Sequence, residues 1–226
     1  MANRIKLHPE TPHQKRIYEI ADLLKNDDTI MLFPTDSQYA LGCDYKNKKG
    51  IDRIRKIRNL GKNDHLSVMC YNLENVSTFA NLTDENFKLI KRLIPGPYTF
   101  ILPATREVPR LLQHPKKRTV GIRVPDYEIC LDIIKAVGHP LTAITARLDE
   151  VEYGNPAESN REMFLSRFDK MVDIIIDNQQ KLPADQTTIL DLTNDQPVLL
   201  RKGLGLDFVE ETLAYLGYEM EEGAVV

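Results

Sequence analysis

Short runs rich in β-branched and aromatic residues alternate with stretches of helical period along nearly the whole chain. That alternation restricts the fold to a single kind of layering, an α/β domain rather than segregated halves. Gln14 to Lys25 carries Ile17, Ile20, Ala21 and Leu24 on one helical face, and Thr29-Ile30-Met31-Leu32-Phe33 follows as a buried strand ended by Pro34. Lys49 to Leu60 reads as a helix with Ile51, Ile54 and Ile57 inward and Arg53, Lys56 and Arg58 on other faces; Leu66 to Tyr71 is the next strand. Thr83, ahead of Asp84 and Glu85, caps a helix expected to bury Phe87, Ile90 and Leu93, which Pro95-Gly96-Pro97 stops. Strands over Tyr98 to Leu102 and Thr119 to Val124 lead to a helix carrying Ile129, Cys130, Ile133, Ile134 and Val137, with Gly138 suited to its C′ position. Strands at Leu141 to Thr145, Val172 to Ile176, Thr188 to Leu192 and Val198 to Leu200 flank a helix near Glu158 to Phe168, and a last helix runs from about Asp207 to Leu216. At about 150 residues per domain, 226 residues leave one large domain or two small ones open.

The formal charge of −3 gives no sign of a polyanion partner, but its distribution does. From Lys46 to Lys62 eight basic residues meet only Asp52, a block of +7, while the tail past Gly205 has six acids and no Lys or Arg. Such a block can track an RNA backbone, with Arg53, Lys56 and Lys62 as contacts; a solvated helix face is the other reading. Only Tyr45 interleaves with it, which points to double-stranded or structured RNA rather than stacked single strands. No apolar leader and no run near the ~18 apolar residues of a membrane span appear, so a cytoplasmic protein is expected. Cys43, Cys70 and Cys130 are too dispersed for a C-x-x-C site and read as reduced, buried thiols. The histidines at 8, 13, 65, 114 and 139 lack ligand spacing, so no protein-held metal is expected.

Thr35-Asp36-Ser37 follows Pro34 at the carboxyl end of the first long strand, where open α/β sheets place ligand crevices. Hydroxyls and a carboxylate there can grip an amino-acid substrate; an Asx-type turn is the alternative. The phrase continues through Gln38-Tyr39-Ala40-Leu41-Gly42 into a second strand. Pro34 to Gly42 resembles the P-T-D-T-x-Y-G-L-G opening of the YrdC family, whose members include threonylcarbamoyl-AMP synthases. Further matches follow in family order: Pro95 to Leu102 for P-G-P-x-T-x-x-L, Val120 to Pro125 for V-G-x-R-x-P, Thr187 to Leu192 for S-T-V-V-D-L, and Arg201-Lys202-Gly203 for R-x-G. Short motifs are weak singly, but five in order are a strong signal.

The resemblance covers residues 14–204 as one domain, leaving 205–226 as an acidic helix and tail. It implies a twisted, mixed sheet flanked by helices with a large basic cavity. In the synthases it implies ATP, L-threonine and bicarbonate as substrates, threonylcarbamoyl-AMP and pyrophosphate as products, and magnesium carried by the ATP phosphates. The product feeds threonylcarbamoyl modification of adenosine in tRNA. Carried over position by position, Thr35, Arg58 and Thr188 match substrate-binding positions, and Thr99, Arg123, Thr145, Arg147 and Arg201 fall on nucleotide-binding ones. A guanidinium suits phosphate because its planar fork makes paired, charge-assisted bonds.

Two departures from the synthase pattern stand out. K-x-R-P-x-x-K/N-P-L becomes Arg58-Asn59-Leu60-Gly61-Lys62-Asn63-Asp64-His65-Leu66, and T-S-A-N becomes Ile144-Thr145-Ala146-Arg147 with Leu148-Asp149-Glu150 in place of the following S-G. These features resemble the YciO-type branch. Two functions follow as expectations: a diverged threonylcarbamoyl-AMP synthase, or a non-catalytic protein binding a nucleotide or double-stranded RNA and acting in RNA or ribosome maturation.

Overall fold

Apolar residues at every position from Ile30 to Phe33 decide the architecture. Met31 and Phe33 pack with Ile17, Ile20 and Ile133, whereas Ile30 and Leu32, on the alternate pleat positions, pack with Ile51, Ile54 and Leu66. A strand apolar on both sides must be covered on both sides. The computed structural model describes residues 1–61, 64, 66–147, 161–181 and 185–223. Within them, numbered along the chain, eleven strands form one mixed sheet. Its order is β1 (Asn3–Lys6), β8 (Ile174–Asp177), β2 (Met31–Phe33), β3 (Ala40–Asp44), β7 (Leu141–Thr145), β4 (Ser67–Met69), β6 (Thr119–Arg123), β5 (Tyr98–Pro103), β9 (Thr188–Asp191), β10 (Val198–Arg201) and β11 (Glu221–Glu222).

Helices α1 (Gln14–Leu24) and α5 (Glu128–Val137) pack together over the face that carries Met31, Phe33, Leu141 and Ile174. The opposite face is covered by α2 (Lys48–Ile57), α3 (Leu73–Phe79), α4 (Asp84–Leu93), α6 (Arg161–Phe168) and α7 (Leu206–Leu216), through side chains such as Ile54, Phe79, Ile90, Leu165 and Leu213. The expected caps form: Thr83 accepts the N–H of Asn86, and Gly138 sits at φ 86°.

Three elements depart from expectation. Phe87 is 40% exposed, and Leu89 takes its place beside Ile90 and Leu93. At ~100° per residue Phe87 falls roughly 110° from the centre of that stripe. Helix α3 and strand β1 had no sequence expectation; β1 buries Ile5 and runs parallel to β8. The tail is part of the same body, because Val209 and Leu213 enter the core and β11 pairs with β10. The segments 148–160 and 182–184, with Lys62, Asn63 and His65, lie outside the described residues, and with them the start of the helix expected near Glu158. Among the described residues no helix is long and apolar enough to cross a membrane. The thiols of Cys43, Cys70 and Cys130 are buried, and burial pushes each far above its ordinary pKa, so none is a nucleophile at neutral pH.

Candidate active site

Helices α1 and α5 cover the sheet face only as far as β7, where Leu141 packs under them and Ala143, two residues on, opens onto a cavity of about 710 Å³. The pairing of β4, β6, β5, β9 and β10 builds the cavity wall in rows. Met69 pairs with Arg123, the Phe100–Ile122 register carries Thr99 opposite Arg123, and Ile189 pairs with both Thr99 and Arg201. The neighbouring row is Ala143, Ser67, Gly121, Ile101 and Asp191. Apart from Phe100 and Ile122, the residues of both rows line the cavity, and its charged residues among those described are Arg58, Lys117, Arg123, Arg147 and Arg201, with Asp64 and Asp191.

Arg123 is 9% exposed and is held by the loop after β2. Its Nη2 donates to Asp36, to Ser37 Oγ at 2.9 Å and to Thr35 Oγ1 at 3.3 Å. Asp36 Oδ2 also accepts the Asp126 N–H at 2.9 Å, while Thr35 Oγ1 donates to the Gln38 carbonyl at 2.7 Å. The hydroxyls and carboxylate of Thr35-Asp36-Ser37 are thus engaged by the turn and by Arg123. Nε of Arg123 is buried and has no hydrogen-bond partner among the described residues.

Arg201 is positioned differently. Nε donates to the Thr187 carbonyl at 3.0 Å and Nη2 to Thr187 Oγ1 at 2.7 Å, and Thr187 Oγ1 lies 3.2 Å from Thr99 Oγ1. This requires the end of β10 to pass directly over residues 186 and 187. A Cβ at Gly203 would stand 2.4 Å from the Gln186 carbonyl oxygen, so the glycine of R-x-G is there for close backbone approach. Burial, then the charges of Arg147 and Arg123, push the Arg201 pKa down to about 10. All three guanidiniums belong to residues that line the cavity. Arg147 Nη2 reaches Gln38 Oε1 at 3.4 Å, and its carbonyl accepts from Arg58 Nη1 at 2.9 Å.

Of the residues singled out from sequence, Arg58, Thr99, Arg123, Thr145, Arg147 and Arg201 line the cavity. Thr35 and Thr188 do not. The Thr35 hydroxyl is consumed by its own turn, and Thr188 is fully buried with Oγ1 donating to the Leu204 carbonyl at 2.8 Å. Strand alternation exchanges neighbours here: Thr187, Ile189 and Asp191 face the cavity, so Thr187 takes the place given to Thr188. Replacing Thr188 by Val is expected to cost about 1–3 kcal/mol in a denaturant melt, because the Leu204 carbonyl loses its donor, whereas Thr187→Val acts on the Arg201 guanidinium.

The basic block is also redistributed. Arg53 donates to the Asp28 and Met171 carbonyls and pairs with Asp173 at 2.7 Å, and Arg55 donates to the Asp64 carbonyl at 3.1 Å and to that of Gly61. With Arg58 in the cavity, the exposed cations of α2 are Lys48, Lys49 and Lys56; Lys62 lies outside the described residues. Leu60 and Asp64, which stand where the synthase pattern has Arg and Lys, are both in the cavity wall. Asp191 and Thr187 were missed as site residues although both lie in a quoted motif; the period-two spacing from Thr187 is the signal that finds them.

Known proteins share the sequence and the fold. A family model described as Telomere recombination, covering Sua5, YciO and YrdC proteins, matches residues 23–203. An uncharacterized protein of Haemophilus influenzae is 38% identical over 205 residues, which are 91% of this chain and 97% of that one. The crystal structure of Escherichia coli YciO, itself an uncharacterized protein, superposes with a TM-score of 0.83 at 36% identity, covering 91% of this chain and 97% of that one. The threonylcarbamoyl-AMP synthase of Pyrococcus abyssi is 29% identical over 81% of this chain, and the matched part is about half of that synthase, 53%. The crystal structure of P. abyssi Sua5 complexed with L-threonine gives a TM-score of 0.82 at 25% identity, covering 97% of this chain and 63% of that one. On the matched span, the shared fold and the motifs that build the cavity wall, the chain belongs to the Sua5/YciO/YrdC family.

Proposed function

We propose that the cavity binds ATP and L-threonine and forms threonylcarbamoyl-AMP, in the manner of the synthases to which the chain is related. The observation that carries this reading is that Arg123, Arg147 and Arg201 line the same cavity, where burial first, and then the charges of Arg147 and Arg123, depress the Arg201 pKa. In the reaction, the neutral threonine amine attacks the bicarbonate carbon; a C–N bond forms, a C–O bond breaks and water leaves with one amine proton, giving an N-carboxylate. One of its oxygens attacks the α-phosphorus, a new O–P bond forms, and the bond to the β-phosphate bridging oxygen breaks to release pyrophosphate. The protein's task is to hold two anions together and to stabilise charge on the phosphate oxygens. Arg123, aimed by Asp36 and Ser37, and Arg201, aimed by Thr187, are fixed before substrate arrives.

Magnesium enters this scheme as part of the substrate. No group of three His, Cys, Asp or Glu able to cage a metal lies among the described residues. The donor set fits an ion that keeps its phosphate and water ligands.

The test is purified protein supplied with ATP, L-threonine and bicarbonate, followed for threonylcarbamoyl-AMP and pyrophosphate. Threonine-dependent release of both is expected. Pyrophosphate release that ignores threonine, or none above a blank, sinks the synthase reading. Leu60 and Asp64 favour a second reading, nucleotide binding without transfer, since each lost charge-assisted contact removes about 1.5–3 kcal/mol. Its mark is ATP binding with no product.

A further inference from the structure

Asp191 ends the series of β9 residues that face the cavity, two positions past Ile189 and four past Thr187. Its Oδ1 accepts the Thr193 N–H at 3.0 Å and the Thr193 hydroxyl at 2.6 Å. Among the described residues, Oδ2 accepts nothing. One oxygen thus locks the carboxylate in place and the other is offered to the cavity.

The surroundings define what it is offered to. In the parallel register of β5 on β9, Ile101 stands beside Asp191 and Thr99 beside Ile189. The carboxylate therefore closes one end of an apolar strip, Ile189 and Ile101, whose other end is the Arg201 guanidinium held on Thr187. At about 3.3 Å per residue, Thr187 and Asp191 lie roughly 13 Å apart. A ligand that uses both ends needs an anion, an apolar body and an N–H donor in that order. An α-amino acid cannot span the strip, because its carboxylate and ammonium share one carbon. A nucleotide can, with phosphate at the guanidinium, a flat base on the isoleucines and an exocyclic amine at Oδ2. A single free oxygen suits one amine; the adjoining N–H groups of guanine call for both oxygens of a carboxylate.

We infer that Asp191 is a specificity residue that reads the N6 amine of adenine, so that the cavity selects adenine nucleotides over purine nucleotides lacking that amine. The inference rests on the reading of the cavity as a nucleotide site. A hydrogen bond to a charged acceptor sets the scale of the preference at about ten- to a hundredfold in affinity.

The experiment compares ATP with purine riboside 5′-triphosphate, which lacks only the amine, by calorimetric titration of the wild-type protein and of Asp191→Asn. The asparagine keeps a carbonyl oxygen for the Thr193 donors and turns an NH2 group toward the base. Wild type should bind ATP about ten- to a hundredfold more tightly than the purine analogue. The variant, with an unchanged melting temperature, should bind the two nearly alike and should gain affinity for ITP, whose O6 accepts, relative to ATP. Equal binding of ATP and the analogue by wild type overturns the inference while leaving the nucleotide site standing. Loss of L-threonine affinity in Asp191→Asn with the nucleotide preference intact overturns it in favour of an ammonium contact. No binding of either triphosphate removes the nucleotide reading itself, and the inference with it.

Discussion

Arg123→Ala is expected to lose about 3–5 kcal/mol of folding stability, a larger effect than any other single substitution in the cavity. The reason is its partner. Arg123 and Asp36 have side chains only 10% and 8% exposed, and removing the guanidinium leaves a buried carboxylate with the Asp126 N–H as its remaining donor. Ser37 and Thr35 lose the same partner at once. Removing the charge pair together, as Arg123→Met with Asp36→Asn, should recover most of the loss, since the asparagine can still accept the Asp126 N–H without an uncompensated charge. Denaturant melts of the two single variants and the double variant measure the coupling. A single Arg123→Ala variant as stable as wild type would show that the pair does not hold the loop. Loss of ATP binding in Arg123→Ala cannot be credited to a missing phosphate contact unless the double variant, properly folded, loses it too.

Arg201→Gln makes the opposite prediction: ATP affinity falls about 10- to 150-fold while the melting temperature stays near that of wild type. The cation is disfavoured where it stands, by burial and then by Arg147 and Arg123, so deleting its charge relieves the unliganded protein even as the Thr187 contacts weaken. The same depression fixes the pH behaviour. With the folded value near 10, well below the ordinary guanidinium range, the unfolded chain holds this proton more tightly, so this group's contribution to stability rises as pH climbs past about 10. Anion binding needs the charged form. The Arg201 contribution to ATP affinity is therefore flat from pH 7 to 9 and lost as pH passes about 10, a dependence that Arg201→Gln abolishes. Titrations of both proteins across that range check it; a variant with wild-type affinity would remove Arg201 from the site.

Legibility in the sequence followed the range of the interaction concerned. The strand and helix pattern was readable because burial on both sides of β2, and one-sided burial on α1 and α5, each leave a local period. Gly203 could be marked as part of a motif, but its reason, the Gln186 carbonyl lying where a Cβ would be, is a contact between two strand ends. Arg53 looked like part of a free cationic face. Its partners Asp28, Met171 and Asp173 come from a turn and from the approach to β8, and no local pattern announces them. Thr187 and Thr188 are the sharpest case, because identical side chains on successive residues are told apart only by the period-two pattern that sets Leu190 and Leu192 on the side of Thr188. The Thr188 hydroxyl goes to Leu204 and the Thr187 hydroxyl to Arg201 only once β10 has returned beside β9.

By itself, then, the sequence determined the layered α/β class, the order of the elements apart from β1, α3 and β11, and the set of motifs that mark the family, since each of these is written in periodicity or in short contiguous phrases. The tertiary structure alone decided which cations are spent inside the fold, which are aimed into the cavity, and that Leu60, Asp64, Thr187 and Asp191 share its wall. Those outcomes depend on strand register and on pairings between residues distant in the chain, where a shift of one position turns a side chain from ligand to core.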